Sequence, residues 1–537
     1  MYLNQTIQKS FIFISAIIVL ISYGYSSYLY SGSKLIFFLF FLSIHLYLIV
    51  SFFLSNLFFD KVLSTFLWLG FYLTIFFKIF FKIYSIKEGD GNFNYLPDQF
   101  DRVLIWTSVA ISAFIISSLF HKFYFKLKNL DNVDNFKLKN FYEKYRYNII
   151  FVFFILIILV NFYNFKFGIY QKGLLPLHQI HPFLSIILKF FVLFGLTAIS
   201  TILIDYEIKT KNKLTFLILL IFYFEIILTN TVLLSRSYVF LGGFLLFSIL
   251  ISHRIKKENS NYFNSFLINI IFFVFVFLVN IQIINDMRAS KYFNPQFFYS
   301  NKVKKINEEK YKNIKEFYIV HQYNKKLDLD EEIIQNEKRL SEKQLKKVND
   351  EKKGLEKHIQ EIENAKNISY KKKIYNNFKN ISILLQSRFI GFESLAIVTS
   401  SKRQSKKAFW NSFKEKINYQ PRESYYSKNF MNIGGTNLRP GSLRQNTVFL
   451  PGVIAFFSYH GSLVFLLISL LLLHFLLGFI EKISYVLSFN SKVFSSFVGF
   501  TLAYRLIHFG YVPKNSYMLF GTIIFSIFGI FVISKLI

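Results

Sequence analysis

Long, almost uncharged apolar blocks recur along this chain, and they constrain its fold more than any other feature. Blocks such as 35–58, 183–204 and 460–480 each hold at least about 20 mostly apolar residues, the length that a helix needs to cross about 30 Å of hydrocarbon. Most charged residues lie instead in one internal stretch. This distribution excludes a single soluble globular domain, a secreted disulfide scaffold and a disordered chain.

We count about twelve candidate spans and therefore predict an all-α polytopic membrane protein. Spans one to nine lie within 1–285, a long loop follows at 286–447, and 448–537 holds a broken segment and the remaining spans. The first block is too long for the apolar core of a signal peptide, so we expect it to be retained. The candidate spans are 11–30, 35–58, 62–84, 103–121, 148–165, 183–204, 214–232, 237–252, 265–284, 460–480, 493–508 and 518–534.

The distribution of Lys and Arg among the short loops predicts the orientation. If the N-terminus is cytoplasmic, the inside loops include 122–147, 206–213 and 253–263, which are richer in Lys and Arg than the short outside loops. Cytoplasmic loops are enriched in these residues, whereas loops longer than about 60 residues cross the membrane largely regardless of charge. We therefore expect both termini in the cytoplasm and 286–447 outside.

Charge and motif content narrow the partners and the chemistry. A formal net charge of +32 would suggest nucleic acid in a soluble protein, but in a membrane protein anionic lipids are the expected partner, so no nucleic acid is predicted. The chain has no Cys, which removes disulfides, thiolate metal sites and thiol nucleophiles. No GxxxxGK[ST], GxGxxG, HExxH or GxSxG motif occurs, so we predict no cofactor and no metal.

The long loop contains a charged part and an apolar part. Its stretch 330–366 carries one apolar stripe at helical spacing and predicts a solvated helical hairpin or small helical cap. The stretch 381–400 predicts an amphipathic, membrane-proximal segment. A basic run follows, formed by Lys402, Arg403, Lys406 and Lys407.

Arginines cluster at the predicted outer ends of the spans. Arg236 lies in the tight connection after the seventh span, Arg288 follows the ninth, and Arg388 lies in the membrane-proximal stretch. Arg439 and Arg444 flank a Pro-Gly pair in LRPGSLR. Guanidinium groups bind phosphate oxygens in pairs and stay charged at any accessible pH. The cluster predicts a site for a lipid diphosphate, although a single Arg could also reach the interface by snorkelling.

Three histidines and one carboxylate complete the set of candidates. His460 follows Pro451-Gly452, which interrupt an apolar run, and non-helical backbone at membrane depth is tolerated only inside protein or beside a cavity. His178 and His181 lie in an outer loop and could reach the same cavity, although a loop histidine is usually solvated. Glu225 is the most isolated intramembrane carboxylate. It is either a proton or ion site or a structural partner of Arg236 or Arg505.

Four stretches, in this order, resemble the Wzy-type O-antigen (oligosaccharide repeat unit) polymerases. They are FGIYQKGLLP at 167–176, SRSYVFLGG at 235–243, SRFIGFESL at 387–395 and LRPGSLRQNTVFLPGVIAFFSYHGSLVFLLISLLL at 438–472. The resemblance implies a metal-independent glycosyltransferase of the GT-C type in the bacterial inner membrane. Such an enzyme moves a growing O-antigen or capsule glycan from one undecaprenyl diphosphate onto an undecaprenyl-linked repeat unit, and a chain-length regulator is an implied partner.

The resemblance also implies roles for individual residues. Arg236, Arg288, Arg388 and Arg439 would bind the substrate diphosphate, and Arg444 and His460 would be catalytic, with His460 as the base. Glu225, His178 and His181 would support them. The separation of Arg444 and Gly461 differs by one residue from the Arg-x15-Gly spacing of some members, and 330–366 is unusually charged for the family.

Three other functions fit the same spans. A flippase or secondary transporter for lipid-linked sugars would usually show inverted repeats and paired broken helices, and the sequence has no internal repeat. An O-antigen ligase-like transferase would share the architecture but use a different acceptor. A non-enzymatic scaffold would bind a partner through the charged hairpin.

Overall fold

The fold is known from a computed structural model, and all its regular elements in the described ranges are helices. Among the described residues, five segments are long and apolar enough to cross a membrane: Val62–Ile79, Pro97–His121, Lys139–Phe167, Phe183–Lys211 and Leu463–Leu487. The prediction of an all-helical protein of membrane character is confirmed. The structure describes 21–51, 58–81, 92–124, 136–171, 181–211, 215–235, 391–415, 425–431, 451–488, 490–510 and 520–536, with isolated positions between 275 and 287.

We number the helices in chain order after a first helical stretch at 21–29. The bundle contains α1 Lys34–Ile49, α2 Phe58–Phe71, α3 Phe77–Phe81, α4 Pro97–Tyr124, α5 Phe136–Phe167, α6 Pro182–Phe190, α7 Leu196–Lys211, α8 Phe216–Leu233, α13 Leu463–Leu487, α14 Lys492–Ile507 and α15 Thr522–Leu536. Four short helices lie between α8 and α13 in the chain: α9 Phe392–Thr399, α10 Lys406–Ser412, α11 Tyr425–Asn429 and α12 Val453–Ser458.

The helices depart from the predicted spans mainly at their ends. The sequence predicts an interruption at Asp60, but α2 already begins at Phe58 and passes through it. The predicted inside loop 206–213 is helical as far as Lys211, and α5 begins at Phe136, inside the predicted loop 122–147. The reason is that apolarity marks where a helix can meet hydrocarbon, whereas backbone hydrogen bonding continues into polar residues.

Two π-helical turns interrupt the bundle helices. Tyr72–Phe76 joins α2 to α3, and Phe191–Gly195 joins α6 to α7. A π turn accommodates one extra residue in a helix and often lies at a functional site. The first turn contacts the start of α9, and the second precedes a buried polar cluster.

The centre of the bundle is formed by α2, α4, α13 and α14. Helix α4 packs along α1 and α13, and α14 packs against α2, α7 and α13. Almost every residue of α14 is buried, so this predicted span is a core helix. Lipid gives little hydrophobic force between helices, so close packing and hydrogen bonds hold them together. For example, the ring of Phe71 stacks on Phe114 with centroids 5.5 Å apart.

Buried polar contacts connect helices that are far apart in sequence. His474 on α13 hydrogen-bonds through Nδ1 to Ser117 Oγ at 2.9 Å and through Nε2 to Ser64 Oγ at 3.3 Å, linking α13 to α4 and α2. Arg146 on α5 donates from Nε and Nη2 to the two carboxylate oxygens of Glu207 on α7, at 2.9 and 2.6 Å. The Tyr142 hydroxyl donates to the same carboxylate.

The end of α3 and the end of α14 lie at the same end of the bundle, which we call the cap end. The N–H of Gly452, just before α12, donates to the carbonyl of Phe509, just after α14, at 2.6 Å. Lys78 on α3 pairs with Glu393 on α9. The end of α3 therefore lies beside α9, and the end of α14 lies beside α12.

Candidate functional site

The cap consists of 391–415, 425–431 and 451–462, and it packs on the bundle through α9 and α12. Helix α9 contacts α4 and α12, and α12 contacts α4 and α13. Seven residues of α9 are buried. The amphipathic character predicted for 381–400 is therefore wrong for Phe392–Thr399, since protein surrounds this helix on several sides.

Three contacts fix α9 on the bundle. Lys78 Nζ lies 2.5 Å from Glu393 Oε1, with the two side chains 5% and 16% exposed. The ring of Phe392 stacks on Phe100 with centroids 5.7 Å apart. A Cβ on Gly391 would lie 2.6 Å from the Thr74 Cβ in the first π turn, so the approach requires glycine. All three α9 positions belong to the SRFIGFESL stretch at 387–395.

The segment before α13 is broken, as Pro451-Gly452 predicted. Gly452 and Gly461 have φ values of +82° and +80°, a region that L side chains rarely adopt. Between them lie the short helix α12 and the turn at Tyr459 and His460. Ser462 then caps α13 by accepting the Phe465 N–H at 3.3 Å. The break thus presents His460 at the start of α13.

His460 lies in an aromatic setting with an available ring nitrogen. Its ring stacks on Phe465 with centroids 3.9 Å apart and meets Phe409 of α10 edge-on. Its Nδ1 is buried and has no hydrogen-bond partner among the described residues. Desolvation, and then the charge of Lys406, lower the pKa of His460 below its usual range. The lowered pKa favours the neutral form of the imidazole.

A basic rim surrounds this turn. It is formed by Lys402, Arg403, Lys406 and Lys407, all of which are exposed. Two hydrogen bonds hold the backbone beside it: the Ser405 N–H donates to the Tyr459 carbonyl, and Gln404 Nε2 donates to the Ser458 carbonyl, both at 2.8 Å. The folded chain thus places cations beside His460 that lie more than 50 residues earlier in sequence.

Glu415 is a candidate that the sequence did not reveal. Its Oε1 accepts the Tyr425 N–H at 3.0 Å, and burial raises the pKa of its carboxyl to about 7. Burial also raises the pKa of Tyr459, as do the charges of Tyr426 and Glu415. The Tyr459 hydroxyl is buried with no hydrogen-bond partner in the described part of the chain. Glu415 and His460 are thus both candidate proton acceptors of the cap.

The other predicted site residues divide into those the structure describes and those it does not. Arg236, Arg288, Arg388, Arg439, Arg444 and His178 lie outside the described residues, as does the charged stretch 330–366. His181 is exposed at the start of α6, where its carbonyl accepts the Ser185 N–H. Glu225 is fully buried on α8 and is not part of the cap.

Glu225 is not paired with Arg505, one of the partners proposed for it. Arg505 donates to Thr522 Oγ1 at 2.7 Å and lies over the ring of Phe194. Glu225 instead accepts hydrogen bonds from two threonines. The structural alternative is thus wrong for Arg505, and Arg236 lies outside the described residues.

In the described ranges, no three His, Asp or Glu side chains are placed so that they could hold a metal ion. Comparisons with protein-family models, with curated proteins and with solved structures gave no match.

Proposed function

We propose that this protein is a GT-C-type membrane glycosyltransferase that polymerises undecaprenyl-diphosphate-linked repeat units of an O-antigen or capsule. The observation that carries this proposal is the cap, which holds an imidazole with a lowered pKa, a carboxyl group with a pKa of about 7 and an exposed basic rim. A proton acceptor and cations suit a transferase that uses an activated lipid diphosphate, which needs neither a nucleotide nor ATP.

The proposed topology places this chemistry at the outer face of the bacterial inner membrane. It combines about twelve spans with a cytoplasmic N-terminus and C-terminus, as the loop charges favour. The cap end, which includes the start of α13 and the end of α14, then faces outward. The five candidate arginines belong to segments that follow outward-running spans or immediately precede α9 and α12 in sequence.

The reaction joins two lipid-linked saccharides. The hydroxyl oxygen of the acceptor sugar attacks the anomeric carbon of the donor glycan, and the bond from that carbon to the diphosphate oxygen breaks. The hydroxyl proton passes to His460 or Glu415, and the electron pair leaves with undecaprenyl diphosphate. Arginines and the basic rim stabilise the leaving diphosphate, because positioned cations act most strongly where charge develops in a water-poor site.

Substitution of Arg444 tests this proposal. We expect Arg444→Ala to reduce chain growth by at least about 100-fold, the effect typical of removing a group that stabilises developing charge, while the protein stays in the membrane. Arg102→Ala is a matched control, because Arg102 is an exposed arginine near the start of α4 that pairs only with Asp98. Equal activity of the two variants would remove Arg444 from the site.

The glycans that accumulate in cells lacking the protein distinguish the alternative functions. Loss of a polymerase leaves single repeat units on the surface, loss of a flippase leaves lipid-linked units inside, and loss of a ligase leaves long polymer on undecaprenyl diphosphate. We also expect partial activity after deletion of 330–366, because that stretch carries no candidate catalytic group. Complete loss of activity in a folded deletion variant would assign the charged hairpin an essential role.

A further inference from the structure

A second polar site lies inside the bundle, where α5, α7 and α8 meet. Glu225 on α8 is fully buried. Its Oε1 accepts hydrogen bonds from Thr229 Oγ1 at 3.2 Å and from Thr197 Oγ1 at 3.4 Å. Asn161 on α5 donates from Nδ2 to the same Thr229 hydroxyl at 3.2 Å. Four side chains from three helices are thus joined in one hydrogen-bonded cluster.

Two oxygen atoms of this cluster have no partner among the described residues. They are Glu225 Oε2 and Asn161 Oδ1, and both are buried. The orientation of the Asn161 amide is fixed, because its Nδ2 also donates to the Ile157 carbonyl at 2.9 Å. Buried carboxylates are costly unless a charge or hydrogen bonds compensate them. The cluster therefore contains acceptors and lacks a positive charge.

Charged side chains on the neighbouring helices do not supply that charge. In the part of the chain that the structure describes, Glu225 forms no ion pair. Glu207 pairs with Arg146, Asp205 pairs with Lys209, and Arg505 contacts Phe194 and Thr522. Among the described side chains, the other charged groups on α5 and α7 are Lys139, Glu143, Lys144 and Lys166 on α5 and Lys211 on α7.

We propose that Glu225, Asn161, Thr197 and Thr229 form a binding site for one exchangeable monovalent cation, supplied either as a sodium ion or as a proton. One positive charge neutralises one carboxylate, whereas a divalent ion would leave an excess charge in the bundle. Carboxylate, amide and hydroxyl oxygens are hard ligands that suit a hard cation. Thr197 also lies two residues after the second π turn, a distortion often found at functional sites. No step of the proposed transfer reaction uses this site.

The site predicts a chemical reactivity that can be measured on the full-length protein. Apolar carbodiimides modify protonated carboxyl groups within membranes, and a bound sodium ion blocks this reaction. We expect modification of Glu225, located by mass spectrometry. With sodium as the ligand, modification falls about tenfold when NaCl replaces choline chloride at ten times the dissociation constant. With a proton as the ligand, it falls with rising pH and does not depend on sodium.

Substitutions show whether the cluster forms the site. Thr229→Val removes a hydroxyl without changing the shape of the side chain, and Asn161→Leu removes the amide. We expect each substitution to shift the midpoint of the modification curve by about tenfold in sodium concentration, or by about one unit in pH. Thr231→Val is the matched control, because the Thr231 hydroxyl donates to the Ile227 carbonyl and accepts from Asn280 Nδ2, and neither contact belongs to the cluster. We expect that control to leave the midpoint unchanged.

Several results would overturn the proposal. Modification of Glu225 that depends on neither sodium nor pH would show that no cation exchanges there, and so would absence of modification under every condition. A shift in Thr231→Val as large as that in Thr229→Val would show a general packing effect. The wild-type measurement stands even if a variant fails to fold, and none of these results bears on glycan transfer.

Discussion

We expect the buried ion pair between Lys78 and Glu393 to hold α9 on the bundle. The two side chains are 5% and 16% exposed, with Nζ and Oε1 2.5 Å apart. Glu393→Leu leaves the Lys78 ammonium buried without its carboxylate, and breaking a buried pair in this way costs about 3–5 kcal/mol. Because the pair joins α9 to α3, we expect the loss to appear as undocking of α9.

Cysteine accessibility measures this undocking directly. The chain has no Cys, so Ser394→Cys, at a buried position in α9, provides one thiol for maleimide labelling. A loss of about 3–5 kcal/mol raises the undocked population by about two to four orders of magnitude. Labelling through local opening should accelerate by a similar factor in Glu393→Leu. The double variant Lys78→Met/Glu393→Leu should return close to the original rate, because no charge then remains buried.

A matched control pair lies on α4. Asp98 and Arg102 are 60% and 57% exposed, with oxygen and nitrogen 3.5 Å apart, and such surface pairs are worth about 0–1 kcal/mol. Asp98→Asn should therefore leave the labelling of Ser394→Cys unchanged. If Glu393→Leu labels at the same rate as this control, the ion pair does not hold α9 and the reasoning is refuted.

Two further predictions concern other carboxylates. Glu207→Gln should destabilise the protein by about 3–5 kcal/mol, because the Arg146 guanidinium then loses its buried counter-charge; a thermal melt in detergent that equals the wild type would contradict this. Glu415→Gln should remove a rise in transfer rate through about pH 7, since a base must lose its proton to act and the carboxyl pKa lies at about 7. A pH profile that keeps this limb in the variant would exclude Glu415 as the base.

The sequence predicts the five described segments that are long and apolar enough to cross a membrane, because each is encoded locally by a long apolar block, whereas 237–252 lies outside the described residues. It also predicts the break before α13, since Pro451 and Gly452 act on their own backbone. Contacts between distant segments are different. Lys78 and Glu393 are 315 residues apart, and nothing near either residue indicates the other. The same holds for Glu415 and Tyr459, which meet only because the chain of the cap folds back on α12.

The burial of α9 shows a second limit of prediction from sequence. Apolar residues in α9 suggest a helix at the membrane surface, because hydrophobicity does not distinguish lipid from protein as the surrounding medium. In the folded protein α4 and α12 cover this helix instead. Similarly, the sequence left Glu225 open between a proton or ion site and a partner of Arg236 or Arg505. Only the side-chain positions show that two threonines hydrogen-bond to it and that Asn161 bonds to one of them.

Chain growth by the purified protein tests the central proposal most directly. Proteoliposomes would receive a polyprenyl-diphosphate-linked repeat unit, with EDTA and without any nucleotide. We expect a ladder of longer lipid-linked glycans and release of one polyprenyl diphosphate for each bond formed. Movement of the lipid-linked saccharide across the bilayer without any chain growth would contradict a polymerase and indicate a flippase.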